Sequence, residues 1–175
     1  ELSGNHNGDF NRIKRMIIAA KKSGANAVKL QTYTANTMTL NSYNNDFLIN
    51  KKTPWKASKN LWHLYNKAHT PWSWHKKIFE LCKKIKIEIF SSPFDEQAVD
   101  LLESLNCPAY KIASPEINHI PLLEKVAKTK KPVIISIGLA KVDDIELALK
   151  TLKKYGSKKI VLLQCVSSYP SPLNE

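Results

Sequence analysis

Long apolar runs are missing from this sequence of 175 residues. Stretches such as 133–135 and 160–163 have the length of a strand, and charged residues or prolines interrupt what surrounds them. No run approaches the ~20 apolar residues that a membrane-spanning helix needs. The sequence therefore predicts no membrane span, and its ordinary composition predicts one globular domain with a sizeable core.

Cysteine and glycine are also scarce. The three cysteines, Cys82, Cys107 and Cys165, are odd in number and far apart, which excludes a readable disulfide framework or zinc pattern and favours a reducing cytoplasm. The 5 glycines form no glycine-rich phosphate loop of either nucleotide-binding type.

Arginine is nearly absent although the formal net charge is +12. Only Arg12 and Arg15 are arginines, whereas proteins that bind nucleic acid favour the bidentate guanidinium group. The lysines fall in scattered pairs, which is typical of solvated helix faces. We therefore expect no nucleic-acid partner, and binding of nucleic acid stays an alternative hypothesis.

Short apolar segments alternate with longer segments of helical period along the chain. Helices are predicted at 9–23, 70–84, 95–105, 121–129 and 142–155, the first with an Asp9 N-cap and a Gly24 end. Strands are predicted at 27–32, 87–91, 109–113, 133–137 and 160–165, with the end of a sixth at 1–3. Strict alternation predicts parallel strands covered by helices, in an open doubly wound sheet or a barrel.

Polar residues at the strand ends favour the barrel. A barrel gathers functional groups from every strand onto one face, whereas an open sheet concentrates them at one switch point. All six predicted strand ends carry such groups: Glu1, Lys29 with Gln31, Ser91 with Ser92, Lys111 with Ser114, Ser136, and Cys165 with Ser167. We predict an α/β fold, an eight-stranded (β/α) barrel that is incomplete here, with about six of eight strands.

Lys29 and Lys111 lie within apolar strands and are candidate ligands for an anion. A buried ammonium group is costly without a negative partner, although either lysine could extend to water instead. Serine hydroxyls at the same level could surround a phosphate or carboxylate. Glu116, just beyond a strand, is a candidate general acid or base, or simply a first-turn helix residue.

A long insertion at 32–69 carries six aromatic residues. It is too long for an ordinary strand-to-helix connection, and long loops at a barrel mouth usually form lids or substrate walls. The lysines among the aromatic residues leave single-stranded nucleic acid as an alternative ligand. His6, in a loop, has no partner at metal-ligand spacing.

Six segments give this sequence a resemblance to the nonulosonic (sialic) acid synthases. They are Glu-Leu-Ser-Gly-Asn-His-Asn-Gly (1–8), Lys-Leu-Gln-Thr-Tyr-Thr (29–34), Thr-Pro-Trp-Ser-Trp-His (70–75), Phe-Ser-Ser-Pro-Phe-Asp (90–95), Pro-Ala-Tyr-Lys-Ile-Ala-Ser-Pro-Glu (108–116) and Cys-Val-Ser-Ser-Tyr-Pro (165–170). They occur in the family's order over the whole chain. The insertion looks like that of the branch that makes pseudaminic acid.

The resemblance implies condensation of phosphoenolpyruvate with an N-acetylated amino sugar, releasing phosphate. For this branch the sugar is 2,4-diacetamido-2,4,6-trideoxy-L-altrose. N-acetylneuraminate and legionaminate synthases are the alternatives within the family, and a non-catalytic truncated fragment is the alternative outside it.

The resemblance also implies roles for single residues. Phosphoenolpyruvate would be bound by Lys29, Ser92, Lys111, Ser114, Ser136 and Ser167. Gln31 and Tyr169 would face the sugar, and the catalytic residues would be Glu1, Glu116 and Lys111. A divalent metal (Mn²⁺, Mg²⁺ or Co²⁺) is implied, with its histidine ligands expected beyond Glu175, together with a homodimer and a C-terminal antifreeze-like domain that this chain lacks.

Overall fold

This computed structural model describes residues 1–50, 53, 55–167 and 171. The chain divides into two compact units, residues 1–89 and residues 90–175. The boundary between the two units falls inside the second strand.

Five strands form one sheet: β1 (Ala27–Thr32), β2 (Glu88–Pro93), β3 (Tyr110–Ile112), β4 (Val133–Ser136) and β5 (Ile160–Leu163). Their order along the sheet is β1-β2-β3-β4-β5, and β2 to β5 pair in parallel. A doubly wound sheet changes direction at a switch point, so its strand order does not follow the sequence. Sequential parallel strands instead match the predicted barrel architecture.

The number of strands differs from the prediction. Residues 1–8 form turns in the structure, so the described residues contain five strands and the predicted sixth at 1–3 is wrong. The first residues still follow the edge of β1, because the Leu2 N–H donates to the Lys29 carbonyl (3.0 Å) and the Leu2 side chain is buried.

Residues 1–89 contain α1 (Phe10–Lys22), α2 (Ala35–Met38), α3 (Leu61–Ala68) and α4 (Trp72–Ile85). The Asp9 carboxylate accepts the Asn11 N–H and caps α1, which confirms the predicted start. The apolar face of α1 buries Ile13 and Ile17, and α4 buries Ile78 and Cys82. Apolar side chains at helical spacing thus supply much of the core of this unit.

The described part of the insertion contains more secondary structure than the periodicity of the sequence predicted. It contains α2, a 3₁₀ turn at Asn45–Phe47 and α3, none of which the periodicity indicated. The side chain of Asn60 accepts the His63 N–H and caps α3. Short helices of this kind depend on tertiary contacts, because their own propensity is insufficient.

Residues 90–175 contain α5 (Glu96–Ser104), α6 (Ile120–Lys128), α7 (Val142–Lys154) and a 3₁₀ turn at Ser114–Asn118. Each helix follows a strand, as predicted. Burial of Leu122, Leu123 and Leu152 together with the strand residues Val133 and Ile135 builds the core of this unit. None of the described helices is long and apolar enough to span a membrane.

Candidate active site

Strand β1 presents two chemically different faces. Val28, Leu30 and Thr32 are buried, whereas Lys29 and Gln31 are half-buried on the opposite side. This alternation follows from the two-residue repeat of a strand and agrees with the predicted faces. The polar face of β1 therefore carries the two candidate ligands of this unit.

Lys29 forms an ion pair with Glu1. The Lys29 ammonium contacts Glu1 Oε2, and Glu1 Oε1 accepts the Ser3 N–H (2.9 Å). The structure thus brings together a predicted anion ligand and a predicted acid-base residue. In this arrangement the positive charge of Lys29 is balanced by the protein itself.

Behind the end of β1 lies a buried hydrogen-bonded pair that the sequence did not indicate. His75 Nδ1 lies 3.1 Å from the Pro71 carbonyl, and its Nε2 lies 3.0 Å from Thr32 Oγ1. Because a carbonyl only accepts, Nδ1 carries the proton and the Thr32 hydroxyl donates to Nε2. Burial lowers the pKa of His75 to about 4, so the ring is neutral.

His6 is also buried, and it is held within the protein by hydrogen bonds. Its Nδ1 accepts the Gly8 N–H (3.1 Å), its Nε2 lies 3.3 Å from Thr70 Oγ1, and its ring packs edge-on against Trp74. Burial lowers the pKa of His6, with a smaller contribution from His69. These contacts give His6 a role in holding the first loop.

In residues 90–175 the candidate anion ligand is Lys111. Its ammonium donates to Ser136 Oγ (2.6 Å) and to the Ile112 carbonyl (2.9 Å). Lys111 pairs with Ile134 in the parallel register, so Ser136, two residues further along β4, lies on the same face. Among the described residues no ion pair includes Lys111. Burial lowers the pKa of Lys111, while Cys165 and Glu116 oppose this shift.

The carboxyl group of Glu116 has one oxygen atom that is available for a hydrogen bond. It lies in the 3₁₀ turn after β3, and within the described residues its Oε2 atom is buried without a hydrogen-bond partner. Burial raises the pKa of Glu116, and a backbone hydrogen bond and the charge of Lys111 partly oppose this. The group is therefore better able than an exposed carboxyl to hold a proton near neutral pH.

The other buried serines predicted at strand ends are Ser91, Ser92 and Ser114. Ser114 Oγ accepts the Leu139 N–H (2.8 Å), which leaves its hydroxyl proton available for a further acceptor. Ser92 is almost completely buried on β2. Ser167 is exposed, and Tyr169 lies outside the described residues.

Cys165, which the sequence placed at a strand end together with Ser167, lies beside the Lys111 group. Ser136, the Gly138 backbone and Ser167 surround its sulfur and, together with the charge of Lys111, lower the pKa of Cys165 although burial opposes them. A Cβ atom at Gly138 would lie 2.1 Å from the Cys165 carbonyl oxygen and 2.7 Å from its sulfur, so only glycine fits there. Because Gly138 has no side chain, the segments after β4 and β5 can approach each other this closely.

The group formed by Lys111, Ser114, Glu116 and Ser136 is typical of a site for an anionic substrate. It offers a cation, two hydroxyl groups and a carboxyl group of raised pKa on consecutive strand ends. A model of the NeuB family matches residues 16–175.

The chain belongs to the NeuB family.

Pseudaminic acid synthase of Helicobacter pylori is 50% identical over 175 residues, which is all of this chain and 51% of that protein. N,N'-diacetyllegionaminic acid synthase of Campylobacter jejuni is 37% identical and is covered to 52%. The crystal structure of N-acetylneuraminic acid synthetase from Leptospira borgpetersenii, in complex with citrate, matches with a TM-score of 0.82 at 32% identity, over 98% of this chain and 54% of that one. The chain thus spans about half the length of these NeuB family relatives. The likeness confirms the α/β barrel-type fold.

A divalent metal is implied by the resemblance. Within the described residues, no three histidine, cysteine, aspartate or glutamate side chains come together in a way that could hold a metal ion. These residues alone do not fit the metal, and metal dependence stays a prediction.

Proposed function

We propose that the full-length protein is a phosphoenolpyruvate-dependent nonulosonic acid synthase of the pseudaminic acid branch. It joins phosphoenolpyruvate to 2,4-diacetamido-2,4,6-trideoxy-L-altrose and releases phosphate. The observation that carries this proposal is the Lys111 group, in which a half-buried ammonium donates to a hydroxyl oxygen and a carbonyl oxygen, both neutral. Two pseudaminic acid synthases that are 50% and 41% identical to this chain support the choice of branch.

Lys111 binds the anionic substrate in this proposal. Within the part of the chain that the structure describes, no carboxylate lies at ion-pair distance from this half-buried ammonium. An incoming anion would therefore offset the cost of burying the charge. The Ser136 and Ser114 hydroxyls then donate to phosphate or carboxylate oxygens. The resemblance also assigns Lys29, Ser92 and Ser167 to phosphoenolpyruvate, and these roles stay predictions.

The chemical step forms one C–C bond and breaks one C–O bond. The enol carbon of phosphoenolpyruvate attacks the aldehyde carbon of the open-chain sugar, and water adds to the carbon that carries the phosphate. Phosphate then leaves with the bridging oxygen and one of the two water protons, and the other water proton replaces the one that Glu116 donates. Glu116, whose burial raises its pKa, supplies the proton that the aldehyde oxygen takes up. Glu1, held by Lys29, and Gln31 orient the sugar.

Two further features support a metabolic enzyme of the reducing cytoplasm. All three cysteines are free thiols, and two of them are buried. A homodimer stays a prediction from the resemblance. A legionaminate synthase is the second candidate, supported by 37% identity to the Campylobacter jejuni enzyme.

The test is phosphate release from phosphoenolpyruvate by the full-length protein with three sugars and a divalent metal. We expect the highest kcat/KM with the diacetamido altrose, lower values with the legionaminate precursor, and the lowest with N-acetylmannosamine. Phosphoenolpyruvate labelled with ¹⁸O at the bridging position should yield labelled phosphate. No phosphate release with any of the three sugars would contradict the proposal, and preference for another sugar would reassign the branch.

A further inference from the structure

The insertion presents a cluster of aromatic side chains that the reaction above does not use. The His63 ring lies 5.4 Å from that of Trp62 and 6.4 Å from that of Tyr43. Tyr43 is 61% exposed, and no side chain of α3 is fully buried. Tyr43, Trp62 and His63 are called the aromatic cluster below. Trp62 and His63 are half-buried, so the cluster presents ring surface on which a ligand could pack.

A buried asparagine fixes the geometry of this cluster. Asn60 is fully buried, and its amide nitrogen donates to Asn41 Oδ1 (3.0 Å) and to the Ser42 carbonyl (2.9 Å). Its Oδ1 accepts the His63 N–H (2.9 Å). All these bonds agree with one orientation of the amide. The segment that carries Tyr43 and the helix that carries His63 are therefore tied to the same side chain.

The same asparagine determines the tautomer of His63. His63 Nδ1 lies 2.7 Å from Asn60 Oδ1, and that oxygen can only accept. Nδ1 therefore carries the proton, and Nε2 of the neutral ring is a hydrogen-bond acceptor. The cluster thus combines two aromatic faces with one acceptor of fixed direction.

The cluster is connected to the end of β1. Trp62 Nε1 donates to Asn36 Oδ1 (2.7 Å) in α2, three residues after Tyr33. Tyr65, one turn after Trp62 on α3, packs edge-on against Tyr33 at 5.9 Å. Tyr33 directly follows β1, the strand that carries Gln31. These contacts link α3 to Tyr33, two residues after Gln31, the residue expected to face the sugar.

We infer that the aromatic cluster recognises an acetamido group of the acceptor sugar. An acetamido group has an N–H that donates to His63 Nε2 and a methyl group that covers the faces of Tyr43 and Trp62. A sugar hydroxyl in its place offers a donor but no methyl group, so the cluster distinguishes acetamido sugars from unmodified ones. This inference rests on the proposed function and adds to it the residues that select the acceptor.

The first test uses kinetics of the full-length protein. His63→Asn keeps a donor towards Asn60 but removes the Nε2 acceptor, and Tyr43→Leu removes an exposed ring. We expect each to raise KM for the acetamido sugar, roughly ten-fold for His63→Asn, about the value of one hydrogen bond, and a few-fold for Tyr43→Leu. KM for phosphoenolpyruvate and kcat at saturating sugar should stay within two-fold (~0.4 kcal/mol). Leu40→Ala, an exposed position in the same insertion, is the matched control and should change nothing.

The second test measures binding without turnover. N-acetylmannosamine is titrated into the protein while the indole Nε1–H resonance of Trp62, assigned with Trp62→Phe, is followed by NMR. We expect a saturable shift with N-acetylmannosamine and none with mannose at the same concentration. Equal shifts with both sugars, or no shift at all, would overturn the inference.

The two tests separate this inference from the proposed function. Turnover by the wild type with unchanged KM for the sugar in both variants overturns the inference alone. Equal increases in KM for both substrates also overturn it, because they indicate a general distortion. Absence of turnover by the wild type contradicts the proposed function, while the NMR titration still decides whether the aromatic cluster binds an acetamido sugar.

Discussion

Lys29 in residues 1–89 and Lys111 in residues 90–175 lie in strands of similar sequence pattern, yet their surroundings differ. Lys29 contacts the carboxylate of Glu1, whereas Lys111 donates to a hydroxyl and a carbonyl oxygen. Both ammonium groups are partly buried. A carboxylate of the protein balances the charge of Lys29, whereas no ion pair among the described residues balances that of Lys111.

This difference separates two roles that a strand lysine can have. A lysine paired with a carboxylate orients that carboxylate and gains less from a ligand. A lysine held by neutral oxygens has its position fixed while its charge stays available to an anion. On these grounds we propose that Lys111 is the principal anion ligand and that Lys29 acts mainly through Glu1.

The largest expected effect is on catalysis by the full-length protein. Lys111→Ala should lower kcat/KM for phosphoenolpyruvate by about 10²–10³-fold, the usual cost of removing one group that stabilises charge in the reaction. Lys29→Ala should cost about ten-fold, because Glu1 keeps its hydrogen bond from the Ser3 N–H. Steady-state phosphate release measures both. Lys150→Ala, exposed on α7, is the matched control.

Equal losses of kcat/KM in the two variants would show that both lysines contribute alike, which contradicts the proposed difference between them. A larger loss of kcat/KM in Lys29→Ala would assign the principal role to the Glu1–Lys29 ion pair. An unchanged rate in Lys111→Ala would remove Lys111 from the site altogether.

The regular elements could be predicted because their signals are local. Strand 27–32 has the predicted bounds and α1 begins at its predicted cap, since alternation and capping depend on residues a few positions apart. The helices of the insertion were missed. α3 depends on Asn60, whose amide bonds reach 18 and 19 residues back along the chain. No local pattern carries that information.

The candidate site was predictable to a similar degree. Strand alternation placed Lys111 and Ser136 at comparable ends, and the structure brings them to 2.6 Å. The Glu1–Lys29 ion pair and the Thr32–His75 hydrogen bond were not predictable, because each joins residues far apart in sequence. The sequence indicates which side chains lie at strand ends, but not which of them neutralise each other.

The two units should also differ in how much stability they lose in acid. His6 and His75 are buried in residues 1–89, and burial lowers the pKa of both, to about 4 for His75. The unfolded chain binds these protons near pH 6.5, so the stabilisation is complete above that pH and is lost as the pH falls towards 4. His75 alone should cost about 3 kcal/mol over this range.

Urea unfolding followed by tryptophan fluorescence at pH 7.5 and 5.0 measures this loss. All 4 tryptophans lie in residues 1–89, so the signal reports on that unit. His75→Asn should be less stable at pH 7.5 and should lose less stability on acidification than the wild type. His119→Asn, in residues 90–175, is the control. An unchanged difference between the two pH values in His75→Asn would contradict the assignment.

The smallest expected effect is on thiol reactivity, and it tests the charge of Lys111 directly. Burial raises the pKa of Cys165, but hydrogen bonds from Ser136, Gly138 and Ser167 and the charge of Lys111 outweigh it, so the pKa lies below its ordinary value. Burial raises the pKa of Cys82 and Cys107 to about 11.

Iodoacetamide at pH 7.5 should therefore label Cys165 roughly ten-fold faster than Cys82 or Cys107, as measured by mass spectrometry of the peptides, because the thiolate is the reactive form. Lys111→Ala should slow Cys165 labelling and shift its pH dependence upward, while Lys150→Ala should not. Inorganic phosphate should also slow it, since an anion bound at Lys111 opposes the thiolate. Labelling of Cys165 that is indifferent to Lys111→Ala would show that the ammonium charge is already balanced, and the contrast with Lys29 would then be lost.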